Sequence, residues 1–287
     1  MLFLNNDMTF DPGFIEPLVT TCQQPGIGAA QPKMVRLKDP QRLDGVGSYL
    51  TAYGVLLHYG FGRNASLKQY NQERDIFCPK GAAMMVRRDV LKQTMLPPGS
   101  NHPSDHPTGE EGNYTRRVSH EAPNYFDADY FAYFEETDLA WRIWLSGYRI
   151  RYIPTGLVQH AGGETAKRIS TFAHYHSFKN RIVTLIKNLG FGTLIWILPL
   201  HLILVALVSF AYLASGQLHV FTATWKAVWW NVANLRSTLQ KRRHVQRVIR
   251  KVSDRELLPK IMRPLPLNYF KYLFGANLEE WPEPDTL

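Results

Sequence analysis

The sequence predicts an α/β domain, then one hydrophobic membrane helix, then basic amphipathic C-terminal helices. Three observations predict this order. Short apolar runs of strand length alternate with helical patterns from Met1 to Pro154, as expected when helices cover a sheet. Phe191 to Ser215 is 25 residues without a charge, long enough to cross a bilayer. The run KRRHVQRVIRK, Lys241 to Lys251, is densely cationic and follows a tryptophan-rich stretch. The expected units are 1–190, 191–215 and 216–287.

The α/β part opens with Leu2-Phe3-Leu4, a short buried strand ending at Asn5-Asn6-Asp7. Asp11-Pro12-Gly13 is a turn and helix-start signal, and Phe14 to Gln24 carries a helical apolar pattern. Ile27 to Val35 reads as one strand. Residues 36–71, rich in glycine and tyrosine, read as loops and short strands around a pocket. Phe77 to Val86 is apolar but interrupted by Pro79 and Gly81, and a short helix starts at Arg87-Arg88-Asp89. Residues 97–124 are polar and rich in Pro, Gly and His, the composition of a lid or insertion. Its histidines (His102, His106, His120) fit no metal-binding spacing.

Thr137 to Ser146 predicts a helix stopped by Gly147. Tyr148 to Ile153 alternates like a strand, and Ser170 to Leu189 predicts a basic, aromatic helix. Within 191–215, Pro199 and His201 allow a kink or a re-entrant hairpin. Trp225, Trp229 and Trp230 suit a membrane interface, and the following cations suit anionic lipid.

The chain of 287 residues can bury one good core plus an appendage. A net charge of +9 suits phosphorylated substrates, anionic lipid or nucleic acid. Its concentration beside the hydrophobic segment argues for lipid, and no nucleic-acid partner is expected. The two cysteines, Cys22 and Cys78, match no metal or redox spacing and read as buried thiols.

Three places carry residues suited to chemistry. Asp7 follows a strand, where ligands bind in α/β sheets, and as a hard oxygen ligand suits a divalent metal on phosphates; the alternative is an Asx-turn. Glu135, Glu136 and Asp138 sit at a helix start framed by aromatics (Tyr130, Phe131, Tyr133, Phe134). The helix N-terminus lowers their pKa values, while mutual repulsion and aromatic packing raise them, so one carboxylate can serve as a base near neutral pH. The alternative is helix capping with an ion pair from Asp138 to Arg142, four residues on. His160 follows a strand, precedes glycines, and suits Mn²⁺ better than Mg²⁺.

LNND (Leu4 to Asp7), GAAMMVRRDVL (Gly81 to Leu91), FDADYFAYFEETDLAWRIWLSGYRIRYIP (Phe126 to Pro154) and HAGGET (His160 to Thr165) stand in the order of the motifs of family-2 inverting glycosyltransferases. The chain resembles bacterial rhamnosyltransferase-like members over residues 2 to about 190. The resemblance implies a GT-A (Rossmann-like) domain that transfers sugar from a nucleotide-diphosphate sugar to a glycan or lipid-linked acceptor in polysaccharide or cell-wall synthesis. It implies that Asp7 and His160 hold a divalent cation, Mn²⁺ or Mg²⁺, and that Asn5 and Asn6 lie near the donor. It makes Glu136 the base, with Glu135 the adjacent alternative. It implies that Gly81, Asp138, Trp141 and Arg142 shape the acceptor and donor pocket.

The chain departs from the family pattern in having Glu-Glu where Glu-Asp is usual, and in the length of 97–124. The family's nucleotide-binding half is not recognisable before Leu4. The expectation is therefore an incomplete GT-A domain, with an upstream polypeptide supplying that half. The alternative is a non-catalytic remnant or membrane-anchored interaction protein. Cations on both sides of 191–215 favour a membrane-associated chain with its catalytic part on the cytoplasmic face.

Overall fold

The computed structural model describes residues 1–97, 124–161 and 170–264. Most of the 97–124 stretch, its three histidines and the Gly-Gly-Glu-Thr of HAGGET lie outside the described residues, as do residues 265–287.

The α/β part holds two small mixed sheets and a hairpin. The strands are β1 (Leu2–Leu4), β2 (Met8–Phe10), β3 (Ile27–Gln31), β4 (Met34–Arg36), β5 (Asp39–Gly45), β6 (Gly47–Leu50), β7 (Leu56–Tyr59), β8 (Arg74–Asp75), β9 (Ala83–Val86), β10 (Arg149–Tyr152) and β11 (Val158–His160). The first sheet has the order β1-β9-β3-β10-β8, with only β3 and β10 parallel. The second has the order β2-β11-β4-β5, with β11 and β4 parallel, and β6 pairs with β7.

Ile27 to Val35 is two strands in different sheets. Pro32 cannot donate to a ladder, so the run breaks there and the chain crosses from one sheet to the other. The first strand is less buried than expected, with Leu4 40% exposed, because β1 is an edge paired only with β9.

The helices are α1 (Ile15–Gln23), α2 (Arg88–Gln93), α3 (Glu135–Leu145), α4 (Ser170–Asn188), α5 (Phe191–Ala214), α6 (Leu218–Ala233), α7 (Leu235–His244) and α8 (Asp254–Ile261). Every residue of α3 from Thr137 to Leu145 is buried. Trp141 meets Phe77 edge to face at 5.2 Å, and the Trp144 indole N–H donates to the carbonyls of Ile76 and Phe77. Cys22 and Cys78 are free and buried, and burial pushes the Cys22 thiol to about 11.

A helix buried on all sides must neutralise its charged residues internally. Arg142 Nε reaches Asp138 at 3.0 Å, one turn earlier. Lys187 of α4 lies 3.0 Å from Asp138 and 2.5 Å from Asp127. Lys241 of α7 pairs with Asp127, and with Asp129 at 2.6 Å. Burial alone would raise the Asp127 carboxyl, but the two ammonium groups hold it well below the usual carboxylate range.

The basic run is not one solvated face. Arg242 donates to the carbonyls of Ile186 and Leu189, Gln246 to those of Lys187 and Asn188, and Arg250 to that of Asn188. Side chains four residues apart thus satisfy the open carbonyls at the end of α4. Lys241 is buried as well, so the reading of the whole run as lipid-facing is corrected. Arg243, Arg247 and Lys251 are its exposed cations.

Lys187→Met leaves two buried carboxylates without their shared cation. Urea denaturation should report a loss of about 3–5 kcal/mol; a loss under about 1 kcal/mol would mean that Lys241 and Arg142 suffice.

Candidate active site

The base side starts with a strained loop. Phe131, Tyr133 and Phe134 have φ of 59°, 65° and 69°, a region that non-glycine residues seldom occupy. The amide of Asn180 in α4 holds the loop, donating to the carbonyls of Tyr130, Ala132 and Tyr133 at 2.7–3.0 Å. One turn on, Thr184 Oγ1 lies 2.7 Å from the Tyr130 hydroxyl. The loop therefore delivers Glu135 and Glu136 into α3 from a fixed angle.

Glu136 faces a cleft of 270 Å³ that also takes in Phe3, Asn5, Gly81, Phe126 and Glu135. Burial first, then repulsion from Glu135, pushes its carboxyl up to about 8. Backbone hydrogen bonds at the helix start and the Lys80 charge pull the other way and are outweighed. A carboxyl so tuned is mostly protonated at neutral pH and becomes available as a general base above about pH 8. A larger depression of 330 Å³, between α1 and β9, is lined by neither Glu135 nor Glu136.

The other side joins Asp7 to His160. Antiparallel pairing of β2 with β11 sets Met8 opposite His160, and the Ala161 amide donates to the Asp7 carbonyl at 3.0 Å. Asp7 Oδ1 lies 3.4 Å from His160 Nε2. The other ring nitrogen, Nδ1, is 2.7 Å from Asp44 Oδ2. Asp44 in turn meets the Lys80 ammonium at 2.6 Å. Burial alone would raise the Asp44 carboxyl, but the hydrogen bond to His160 and the Lys80 charge hold it below its ordinary value. Asp44 fixes the imidazole so that Nε2 points toward Asp7. This is how a carboxylate orients a metal-ligating histidine. One nitrogen and one exposed carboxylate oxygen at this separation fit two neighbouring positions on a single divalent ion.

The turn Pro79 to Ala82 connects the two sides. The Lys80 amide donates to Gln31 Oε1 at 2.7 Å, and the Asn5 amide donates to the Ala82 carbonyl at 2.9 Å. Gly81 packs on Glu136: a Cβ there would lie 3.2 Å from Glu136 Cγ.

Of the residues singled out from sequence, Asn5, Gly81, Glu135 and Glu136 share the cleft, and Asp7 meets His160. Asn6 is exposed on the turn between β1 and β2. Asp138, Trp141 and Arg142 do not line the cleft. They are at most 1% exposed, because that face of α3 packs into the core. Arg142 reaches the carbonyls of Thr94 and Tyr125. Sequence reasoning missed Asp44, Lys80 and Asn180. Only Lys80, adjacent to Gly81, stood near a motif.

The α/β fold thus sets two carboxylates of a helix start on a cleft, with the Asp7–His160 pair outside its lining. Residues 1–185 match the family described as glycosyltransferase like family 2, and the chain belongs to that family. Comparison with curated proteins finds no match. Family membership makes the protein a glycosyltransferase that uses a nucleotide-sugar donor and an acceptor.

Gly81→Ala forces the Glu136 side chain to shift by a few tenths of an ångström. Transfer activity should fall roughly tenfold or more with an unchanged urea midpoint, since small misplacements of a catalytic group are costly. Full activity would show that Glu136 does not need its present position.

Proposed function

We propose that this protein is a membrane-associated inverting glycosyltransferase of hexosyltransferase type that extends a glycan or lipid-linked acceptor in polysaccharide or cell-wall synthesis. It is of the rhamnosyltransferase-like subtype, and its catalytic part faces the cytoplasm. The observation that carries the inverting reading is Glu136, a carboxyl raised to about 8 at the cleft. The rhamnosyltransferase-like subtype rests on the motif resemblance alone, and the cytoplasmic face on the cations flanking the hydrophobic segment.

In the reaction, Glu136 accepts the proton of an acceptor hydroxyl as that oxygen bonds to the anomeric carbon. The bond from that carbon to the nucleoside diphosphate breaks with its electron pair, and the configuration inverts. Glu135 keeps the base strong by repulsion. Gly81 leaves room for Glu136 beside the acceptor, and Asn5 borders the same cleft. Asp7 and His160 are the residues that would hold a divalent cation, Mn²⁺ or Mg²⁺, and Asp44 would keep the imidazole aimed. Such an ion supplies charge stabilisation to a leaving diphosphate.

The sign of the pH dependence follows from the raised pKa. Glu136 is protonated, and unable to act as base, below about 8. The kcat/KM for nucleoside diphosphate release should therefore rise through that pH. Glu135→Gln should move the limb to lower pH, and Glu136→Gln should abolish transfer. A limb unmoved by Glu135→Gln, or transfer retained in Glu136→Gln, would remove the base assignment.

Asp44→Ala frees the imidazole. Calorimetric titration with Mn²⁺ should show affinity reduced by roughly 10–100-fold. Equal affinity in the variant would count against the Asp7–His160 site.

A further inference from the structure

The 24-residue α5 is apolar enough to cross a membrane, but its packing argues for a different seat. One stripe of the helix, Ile197, His201, Val205 and Ser209, is buried. Opposite it, Trp196, Leu200, Ile203, Leu207 and Phe210 form an exposed stripe, with Trp196 at 72% and Leu207 at 65%. The buried stripe meets the α/β part halfway along the helix, where His201 Nδ1 lies 2.8 Å from the Tyr53 carbonyl. Tyr53 belongs to the turn between β6 and β7. His201 is ten residues from Phe191, about 15 Å along the axis. A perpendicular crossing would therefore carry that polar turn to the depth of the hydrocarbon, where irregular backbone facing lipid is not tolerated.

The chain after α7 comes back to the same side. Val245, Ile249, Leu257 and Ile261 are buried in the core that holds Trp141. A single crossing between the α/β part and α8 is thus incompatible with the fold.

The exposed stripe continues onto α6 and α7. Phe210 meets Phe221 at 5.6 Å and Trp225 at 6.4 Å. At 100° per residue, Trp225, Trp229, Val232, Arg236, Leu239 and Arg243 share one face within about 40° of its middle, and Arg247 follows in the π-helical turn Val245–Ile249. Hydrogen bonds from Asn234 to Trp230 and from Thr238 to Asn234 carry the helix across the α6–α7 junction. All seven side chains are exposed, Trp229 at 70%. The surface grades from aliphatic through aromatic to cationic, which matches acyl chains, the interface and anionic head groups in turn.

We infer that α5, α6 and α7 seat the protein flat on an anionic bilayer without crossing it. The Trp196-to-Trp229 stripe enters the acyl boundary, and Arg236, Arg243 and Arg247 lie on the head groups. This inference rests on the membrane association proposed above, and two separate readouts distinguish the seat from its geometry.

For the seat, the purified full chain is sedimented with phosphatidylcholine vesicles with and without phosphatidylglycerol. It should bind the anionic vesicles more tightly. The pair R243Q/R247Q should weaken that binding on the order of 30-fold, at about fivefold per cation. The pair I203S/L207S should weaken binding to both vesicle types, with an unchanged circular dichroism spectrum in each variant. No binding to either vesicle, including the case where the stripe is covered by a second copy or by residues 265–287, overturns membrane association itself.

For the geometry, single cysteines replace Lys68 on the α/β part and Gln217 at the α5–α6 turn. They are labelled with an impermeant maleimide in sealed membrane vesicles from cells making the full chain. Labelling of both from the same side supports the flat seat. Labelling of Gln217→Cys from the opposite side, or from neither, overturns it in favour of a crossing or a buried hairpin.

Discussion

The Lys187 ammonium, held between Asp127 and Asp138, is the contact through which four parts of the chain are fixed to one another. Asp127 begins the loop that leads to Glu135 and Glu136. Asp138 lies inside α3, Lys187 is near the end of α4, and Lys241 extends the cluster into α7. None of these groups tolerates burial alone. Each is paired with another of the cluster, so displacing one element strands a charge in the others. The desolvation cost of such a cluster is high, and it is a poor source of net stability. Its consequence is geometric, because only one arrangement of loop, α3, α4 and α7 leaves every charge paired.

That rigidity bears on Glu136 through the loop before it. Three left-handed non-glycine residues in four positions store backbone strain, of order 1–3 kcal/mol each. Asn180 opposes the strain with one amide group directed at three carbonyls. Asn180, Thr184, Lys187 and Asn188 recur at helical spacing along one face of α4. Asn188 donates to Asp138 at 2.9 Å, so the stripe serves the loop at one end and α3 at the other. α4 is thus the template on which the start of α3, with Glu135 and Glu136, is positioned.

The parts legible in the sequence were those whose information is local. Trp141, Ile143, Trp144 and Leu145 announce α3 by apolar density, and Gly147 with φ 92° ends it. Asp7, just ahead of β2, and His160, at the end of β11, stand out in sequence because each borders a strand. Asp44 does not stand out. It reaches His160 across 116 positions, and no periodicity or spacing reports such a pairing. The family resemblance places Asp138, Trp141 and Arg142 at the pocket, but they do not line it. On a helix, adjacent positions point 100° apart, and here that angle separates the cleft from the core. The run from Ile27 to Val35 gave one strand where two exist, since apolar composition continues past Pro32 while the ladder does not.

The cationic run from Lys241 to Lys251 carries the same lesson further, because its two faces have opposite tasks. Arg242, Gln246 and Arg250 turn inward and close the end of α4, while Arg243 and Arg247, one position later, turn to solvent. Charge density alone predicts one electrostatic surface. Helical phase divides it into a cap for the template helix and a surface facing away from it. The outward face therefore cannot shift without moving the residues that terminate α4. α4 in turn holds the loop ahead of Glu135 and Glu136. Whatever binds the outward arginines is mechanically continuous, through α7 and α4, with the orientation of Glu136.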